Sequence, residues 1–211
     1  LLEPQSTNLV TYSSDFSRWT GLINLSISLN EGVSPSGEVN ANLLSLGVDA
    51  SATRHRLYLL YDFVFIDGIF DLCHHFKELG YKIIVITNQS GIHRNLYTES
   101  DYQKLSKWMV NQFKLNQIDI LDIYHCPHGP KSKCGCRKPK AGMLIEAKQQ
   151  YKIDMKKSWM IGDKETDINA ANLAGIDNTI LTRSGHEIDE KNSKAQFFID
   201  SIKDSTEVIV D

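Results

Sequence analysis

Between residues 62 and 181 the chain alternates between two patterns of apolar residues. One is a short continuous apolar run, such as KIIVIT at 82–87, which is typical of a strand buried on both faces. The other places apolar residues three or four positions apart, as at Ile69, Leu72 and Phe76, which predicts an amphipathic helix. The patterns predict helices over 69–79, 98–113, 141–151 and 165–174, and strands over 82–87, 120–124, 158–161 and 179–181.

Strands that alternate with helices predict an α/β fold with a mainly parallel sheet, because each crossover helix returns the chain to the same edge. Thr98 and Asp101 resemble a capping box at the start of one helix, and Gly80 and Gly175 are suited to end two others. Ligands of such sheets bind beyond the carboxyl ends of the strands. Polar motifs at those ends are therefore candidates for a site.

The first 60 residues differ from the rest in composition. All 17 lysines lie at or beyond Lys77, whereas ten serines fall within 1–60 and nine in the remainder. Short apolar runs predict strands at 22–29 and 43–48, with turn residues between them. We interpret 1–60 as a segment of uncertain structure joined to a domain over 61–211, as a shifted or misjoined reading frame would produce.

Composition and charge exclude several classes of protein. Apolar residues make up 41% of the 211 positions and charged residues 23%, which excludes a disordered polyelectrolyte. A net charge of −3 provides no field that attracts nucleic acid or anionic membranes. No apolar run approaches the roughly 18 residues of a membrane span. We expect a cytoplasmic protein that binds neither nucleic acid nor membrane.

Two polar motifs follow predicted strands directly. The segment TNQSG at 87–91 offers a hydroxyl, two amides and a glycine turn, which suit either a phosphate cradle or a simple polar turn. The segment GDKETD at 162–167 places Asp163 and Asp167 around the start of a helix. Carboxylates at such a position either cap the helix or hold Mg²⁺.

The strongest local motif is a loop of three cysteines and one histidine within eleven residues. These residues are Cys126, His128, Cys134 and Cys136. Three thiolates and an imidazole form a closed tetrahedral set, which favours a structural zinc site over cysteines that meet by chance. Arg137 and Lys138 follow directly and suit phosphate recognition, although a charged pair in a loop is often only solvated surface.

Taken in order, TNQSG, the cysteine loop with RKP, and GDKETD resemble the motifs of the haloacid dehalogenase superfamily. Within it, the zinc loop resembles that of the D-glycero-D-manno-heptose 1,7-bisphosphate phosphatases and of the related histidinol-phosphate phosphatases. The resemblance runs from Asp62 to the end of the chain. It implies a Rossmann-like three-layer sandwich with an inserted zinc loop at 126–136, and a Mg²⁺-dependent phosphatase that forms an aspartyl-phosphate intermediate.

The resemblance also implies a role for each motif residue. Thr87 would contact the transferring phosphoryl group, and Lys138 would neutralise its charge. Arg137 would help recognise the sugar phosphate, and Asp163 would hold Mg²⁺. The remaining implied residues are Asn88, Gln89 and Ser90 for the substrate, Lys164 and Asp167 beside the magnesium, and Cys126, His128, Cys134 and Cys136 for structural zinc.

The first superfamily motif, a strand that ends in Asp-x-Asp-Gly, has no counterpart in the sequence. In the family its first Asp is the nucleophile and its second the general acid/base. Asp49 follows an apolar run and is the nearest substitute nucleophile, but Ser51 stands where the acid/base carboxylate is expected. General acid–base catalysis contributes roughly 10²–10⁴-fold, so we expect turnover to be impaired.

Three functions therefore stay open. The chain is a heptose bisphosphate phosphatase that removes the 7-phosphate in the synthesis of ADP- or GDP-heptose for lipopolysaccharide or S-layer sugar. Alternatively, it is a catalytically inactive, zinc-stapled module that binds a phosphosugar or a protein partner. A third interpretation is a histidinol-phosphate phosphatase. The resemblance implies a monomer that acts on a small sugar bisphosphate.

Overall fold

The computed structural model describes residues 9–10, 65–183 and 188–209. The strands expected at 22–29 and 43–48, together with Asp49, lie outside the described residues. None of the described helices is long and apolar enough to cross a membrane.

The described strands form two parallel three-stranded sheets, ordered β1-β2-β3 and β4-β5-β6. β1 pairs with β2 and also has Cα atoms within 8 Å of β4, so the two sheets meet at β1. The strands are β1 (Leu9–Val10), β2 (Lys82–Asn88), β3 (Ile120–Cys126), β4 (Trp159–Gly162), β5 (Asn178–Thr182) and β6 (Phe197–Ile199).

Six α-helices are described, and two 3₁₀ turns accompany them over Met155–Lys157 and Ile202–Asp204. The helices are α1 (Ile69–Glu78), α2 (Ser90–His93), α3 (Glu99–Leu115), α4 (Gly142–Tyr151), α5 (Glu165–Ala174) and α6 (Ser205–Val208).

The helices cover both faces of the sheets. On one face, Leu144 of α4 packs in a core with Ile86 of β2, and α5 joins the same core. On the other face, Phe76 of α1 packs against β4 and β5, and Phe113 of α3 packs with Ile83 of β2. Full burial of a side chain such as Phe76 contributes about 1.5–3 kcal/mol. The predicted three-layer α/β sandwich with a parallel sheet is confirmed.

The elements predicted between residues 69 and 181 agree with the observed bounds to within two residues at each end. The capping box at the start of α3 is present: the Asp101 N–H donates to Thr98 Oγ1 (3.1 Å), and the Thr98 N–H donates to the Asp101 carboxylate (2.9 Å). Gly175 ends α5 at a φ of 90°, which glycine adopts without steric cost. The short elements β1, α2, β6 and α6 were not predicted, because two to four residues carry no periodicity.

Candidate functional site

The carboxyl ends of β2 and β3 lie side by side. In the ladder, Thr87 pairs with His125 and Asn88 pairs with Cys126. The TNQSG motif and the cysteine loop therefore start from neighbouring positions at the carboxyl ends of these strands. They are 35 or more positions apart in the chain. All four polar side chains of the motif are buried: Thr87, Asn88, Gln89 and Ser90.

Asn88 joins the end of β2 to the loop that carries Lys138. The Lys138 N–H donates to Asn88 Oδ1 (3.1 Å), and Asn88 Nδ2 donates to the Lys138 carbonyl (3.2 Å). A side-chain amide that is bonded in this way replaces a strand partner for the loop backbone. The expected substrate residue Asn88 thus also determines where Lys138 lies.

Lys138 is a buried ammonium group. Its Nζ donates to the Ile86 carbonyl (2.6 Å) and lies 2.9 Å from Asp167 Oδ1, with side chains 1% and 0% exposed. Burial lowers the pKa of Lys138, and the negative charge of Asp167 opposes this shift. Lys138 is therefore part of the core at the strand edge rather than solvated surface, which was the alternative left open by the sequence.

Asp163 follows β4 at the same edge and is also buried. Burial, and next the negative charge of Asp167, raise the pKa of Asp163 to about 7. Gly162 is required here, since a Cβ at this position would lie 2.6 Å from Asp167 Oδ2. The backbone N–H of Lys164 donates to the same Asp167 oxygen (3.1 Å), so Asp167 caps α5 as well as pairing with Lys138.

The chemistry of this edge fits a hard divalent cation. Two buried carboxylates, those of Asp163 and Asp167, lie near a single buried ammonium group. Burial is the larger cause of the raised pKa of Asp163, and the negative charge of Asp167, which a cation would offset, is the second. Mg²⁺ is typically held by one or two carboxylates together with phosphate oxygens and water.

The cysteine loop brings its four predicted ligands together, with all ligand atoms within 4.8 Å of one another. Cys126 Sγ lies 3.7 Å from Cys134 Sγ and 3.5 Å from His128 Nδ1. A tetrahedral zinc with about 2.3 Å bonds to sulfur and about 2.0 Å bonds to nitrogen separates its ligands by about 3.5–3.8 Å. The donor set and its spacing therefore fit zinc.

Hydrogen bonds connect the cysteine loop to the residues that follow it and to the start of α4. Arg137 Nη1 donates to the His128 carbonyl (3.2 Å), and Lys140 Nζ donates to the Cys134 carbonyl. The Gly142 N–H at the start of α4 donates to the Gly135 carbonyl. A Cβ on Gly142 would lie 2.4 Å from that oxygen, so the close approach requires glycine.

A cavity of about 310 Å³ opens beside Asp163, which is within the range of small-molecule sites. Glu165, one of its lining residues, accepts hydrogen bonds from Ser193 Oγ (2.6 Å) and the Lys194 N–H (3.0 Å) and so connects the cavity to the segment after residue 188. The lining residues are Asp163, Lys164, Glu165, Leu181, Ile188, Asp189 and Asn192.

One residue of this region carried no signal in the sequence. Tyr97 lies six positions beyond the TNQSG motif, is 4% exposed and donates from its hydroxyl to Gln89 Oε1 (2.6 Å). A tyrosine in a loop has no motif or period to mark it, so only the tertiary contact reveals it. The expected nucleophile Asp49 lies outside the described residues.

The chain is similar to known proteins along most of its length. A family model described as HAD-hydrolase-like matches residues 135–205. The crystal structure of D,D-heptose 1,7-bisphosphate phosphatase from B. bronchiseptica, complexed with magnesium and phosphate, superposes with a TM-score of 0.63 at 19% identity. This similarity covers 96% of the present chain and 97% of that chain, and it supports the fold.

Two curated relatives come from Photorhabdus laumondii subsp. laumondii. The D-glycero-alpha-D-manno-heptose-1,7-bisphosphate 7-phosphatase is 45% identical over 126 residues, which is 56% of this chain and 69% of the relative. The D-glycero-beta-D-manno-heptose-1,7-bisphosphate 7-phosphatase is 39% identical over 156 residues, 70% and 83% of the two chains. The chain therefore belongs to the haloacid dehalogenase-like hydrolases, within the family of the D-glycero-manno-heptose-1,7-bisphosphate 7-phosphatases.

Proposed function

We propose that this protein is a phosphomonoester hydrolase that removes the 7-phosphate of D-glycero-D-manno-heptose 1,7-bisphosphate. The observation that carries the proposal is the place of Lys138, which bonds to Ile86 and Asn88 on either side of Thr87 and lies close enough to Asp163 to oppose the rise in its pKa. The names of the curated relatives support the substrate. Both anomers occur among those names, so either anomer is a candidate.

Each residue at this edge would have a different role in binding a phosphoryl group. Thr87 would donate its hydroxyl hydrogen to a phosphoryl oxygen, and the Lys138 ammonium would neutralise charge on the same group. Asn88 would keep Lys138 in place through its two hydrogen bonds to the Lys138 backbone. Arg137, whose guanidinium is a forked donor, would recognise the second phosphate or the sugar, and Ser90 would belong to the substrate loop.

Two metals complete the proposal. Asp163 would hold Mg²⁺, with Lys164 adjacent and Asp167 in support, and the cation would supply neutralisation of phosphate charge. Zinc would be structural, because its four protein ligands leave no open position. These ligands are Cys126, His128, Cys134 and Cys136.

The proposed nucleophile comes from the segment that precedes the phosphatase domain. Asp49 is the candidate, and Ser51 in place of a second carboxylate predicts impaired turnover. We place the phosphatase domain at 61–211 and expect a cytoplasmic monomer. The absence of Asp-x-Asp from the 211 residues favours a second candidate function, a zinc-stapled module that binds phosphosugar without hydrolysing it.

The test is the release of inorganic phosphate by the purified full chain with Mg²⁺. We expect slow release from heptose 1,7-bisphosphate, supplied as each anomer in turn, and less from histidinol phosphate. Asp163→Ala should abolish the release, whereas Asp177→Ala, which removes an exposed carboxylate paired with Lys156, should not change it. Binding of the bisphosphate without any release would instead establish the binding module, and faster release from histidinol phosphate would establish the third interpretation.

A further inference from the structure

Gln89 belongs to the TNQSG motif, and hydrogen bonds within the protein already occupy its side-chain amide. The residue is 0% exposed, and both ends of its side-chain amide are bonded within the protein. Gln89 Nε2 donates to Thr87 Oγ1 (2.8 Å), while Gln89 Oε1 accepts from the Tyr97 hydroxyl (2.6 Å). The three side chains form a buried chain of hydrogen bonds that ends on Thr87.

The direction of these hydrogen bonds determines what the Thr87 hydroxyl can do. A tyrosine hydroxyl that donates to Oε1 leaves the Nε2 end of the amide facing Thr87. Because Thr87 Oγ1 then accepts from Gln89, its own hydrogen points away from Gln89. If the amide were reversed, Thr87 would have to donate its hydrogen to Gln89 and could not donate it to another acceptor.

We propose that Gln89 and Tyr97 are positioning residues that orient the Thr87 hydroxyl as a donor to a phosphoryl oxygen. The proposal rests on the proposed function and gives Gln89 a role that needs no direct contact with the substrate. A hydrogen-bond donor that is oriented before the ligand binds does not have to be reoriented when negative charge develops on the phosphoryl oxygens. The ligand in question is the phosphoryl group itself, whatever sugar carries it.

The loop between β2 and α3 is built to bring Tyr97 back to the motif. Asn95 takes a φ of 56°, in the left-handed region, and the Leu96 N–H donates to the Gly91 carbonyl (2.9 Å). The Tyr97 ring then lies directly over Gly91, where a Cβ would be 2.1 Å from a ring carbon. The glycine of TNQSG therefore makes room for the tyrosine that anchors Gln89.

A double-mutant cycle on phosphate affinity tests the proposal. The probe is inorganic phosphate, titrated into the full chain with Mg²⁺ by calorimetry. Gln89→Met keeps the volume and removes both hydrogen bonds, and we expect phosphate to bind at least about tenfold more weakly. Gln149→Met, the same change on an exposed position of α4, should leave the affinity unchanged.

The cycle is closed in a Thr87→Val background. If Gln89 acts through the hydroxyl, Gln89→Met should add less than about twofold once that hydroxyl is gone. If Gln89→Met acts only by loosening the protein, it should weaken phosphate binding by the same factor in the wild-type and in the Thr87→Val protein. That result would overturn the proposal. An affinity of Gln89→Met equal to that of the wild type overturns it as well.

Tyr97→Phe provides an independent variant should Gln89→Met fail to fold. It removes the hydroxyl that directs the amide, and we expect about threefold weaker phosphate binding, again absent in the Thr87→Val background. Tyr151→Phe, which removes a hydroxyl bonded to Asp122, is its control. Wild-type protein that binds no phosphate would overturn the proposed function and this inference together, whereas tight wild-type binding with unaffected variants overturns only the inference.

Discussion

Lys138 is a buried core residue that also lies within the proposed phosphate site. Its backbone is held by Asn88, its ammonium by the Ile86 carbonyl and the Asp167 carboxylate. Breaking a buried ion pair from one side costs more than the pair contributes, because the remaining charge is buried without compensation. A second substitution that removes the charge of Asp167 should therefore restore the stability lost on replacing Lys138, but not the phosphate affinity.

We predict that Lys138→Met lowers the free energy of unfolding by about 3–5 kcal/mol, since Asp167 is left as an uncompensated buried charge. Urea denaturation followed by tryptophan fluorescence measures the change. Adding Asp167→Asn should restore much of the stability without restoring phosphate binding. Lys156→Met, at an exposed pair with Asp177, should cost less than about 1 kcal/mol, and equal losses for the two lysines would contradict the prediction.

At the scale of elements, the turn that follows β2 depends on a close contact rather than on regular structure. α2 has only four residues, and the Tyr97 ring occupies the space that a side chain at position 91 would need. Gly91 is a helical position, so its constraint is one of volume.

We predict that Gly91→Ala displaces Tyr97 and destabilises the protein by about 1–3 kcal/mol through overpacking. Thermal unfolding measures the stability, and the affinity for inorganic phosphate should fall with it, since Tyr97 directs Gln89. The matched control is Gly135→Ala, because a Cβ at Gly135 meets nothing within 4 Å. A Gly91→Ala protein as stable as this control would show that the tyrosine ring moves aside without cost.

Elements that are formed by local interactions could be predicted from the sequence, whereas elements that depend on pairing with a distant strand could not. The periodicity of 69–79 and the cap at Thr98 are local, and both are confirmed by α1 and α3. The apolar run at 82–87 is likewise confirmed as β2. Strand β6 has three residues and is stabilised by its pairing with β5, so nothing local marks it.

At the scale of the whole molecule, the cysteine loop connects β3, the Lys138 backbone and the start of α4. Cys126 ends β3 and is buried, while Cys134 and Cys136 lie in a loop with few apolar residues. Burial raises the pKa of Cys126 to about 12. Zinc would therefore have to displace the proton of a buried thiol at Cys126, so zinc binding should weaken as the pH falls.

We predict that removing zinc with a chelator lowers the stability by about 4 kcal/mol, relative to zinc supplied at 1,000 times its dissociation constant. Differential scanning calorimetry measures the loss, and metal analysis should find one zinc per chain beforehand. Cys134 and Cys136 should become reactive toward iodoacetamide. Cys73 should stay protected, since burial raises its pKa to about 12. Unchanged unfolding after complete zinc removal would contradict a structural role.

The sequence by itself determined the order of the longer strands and helices, the capping box, the cluster of three cysteines and one histidine, and the family, because each depends on residues close together in the chain or on the order of short motifs. Only the tertiary structure decided that Lys138 is buried against Asp167, and that Gln89 lies between Thr87 and Tyr97. Asn88 and Lys138 are 50 positions apart, and no local pattern encodes their contact. Such contacts form only when the parallel strands bring their carboxyl ends to one edge, where burial then requires every polar group to find a partner.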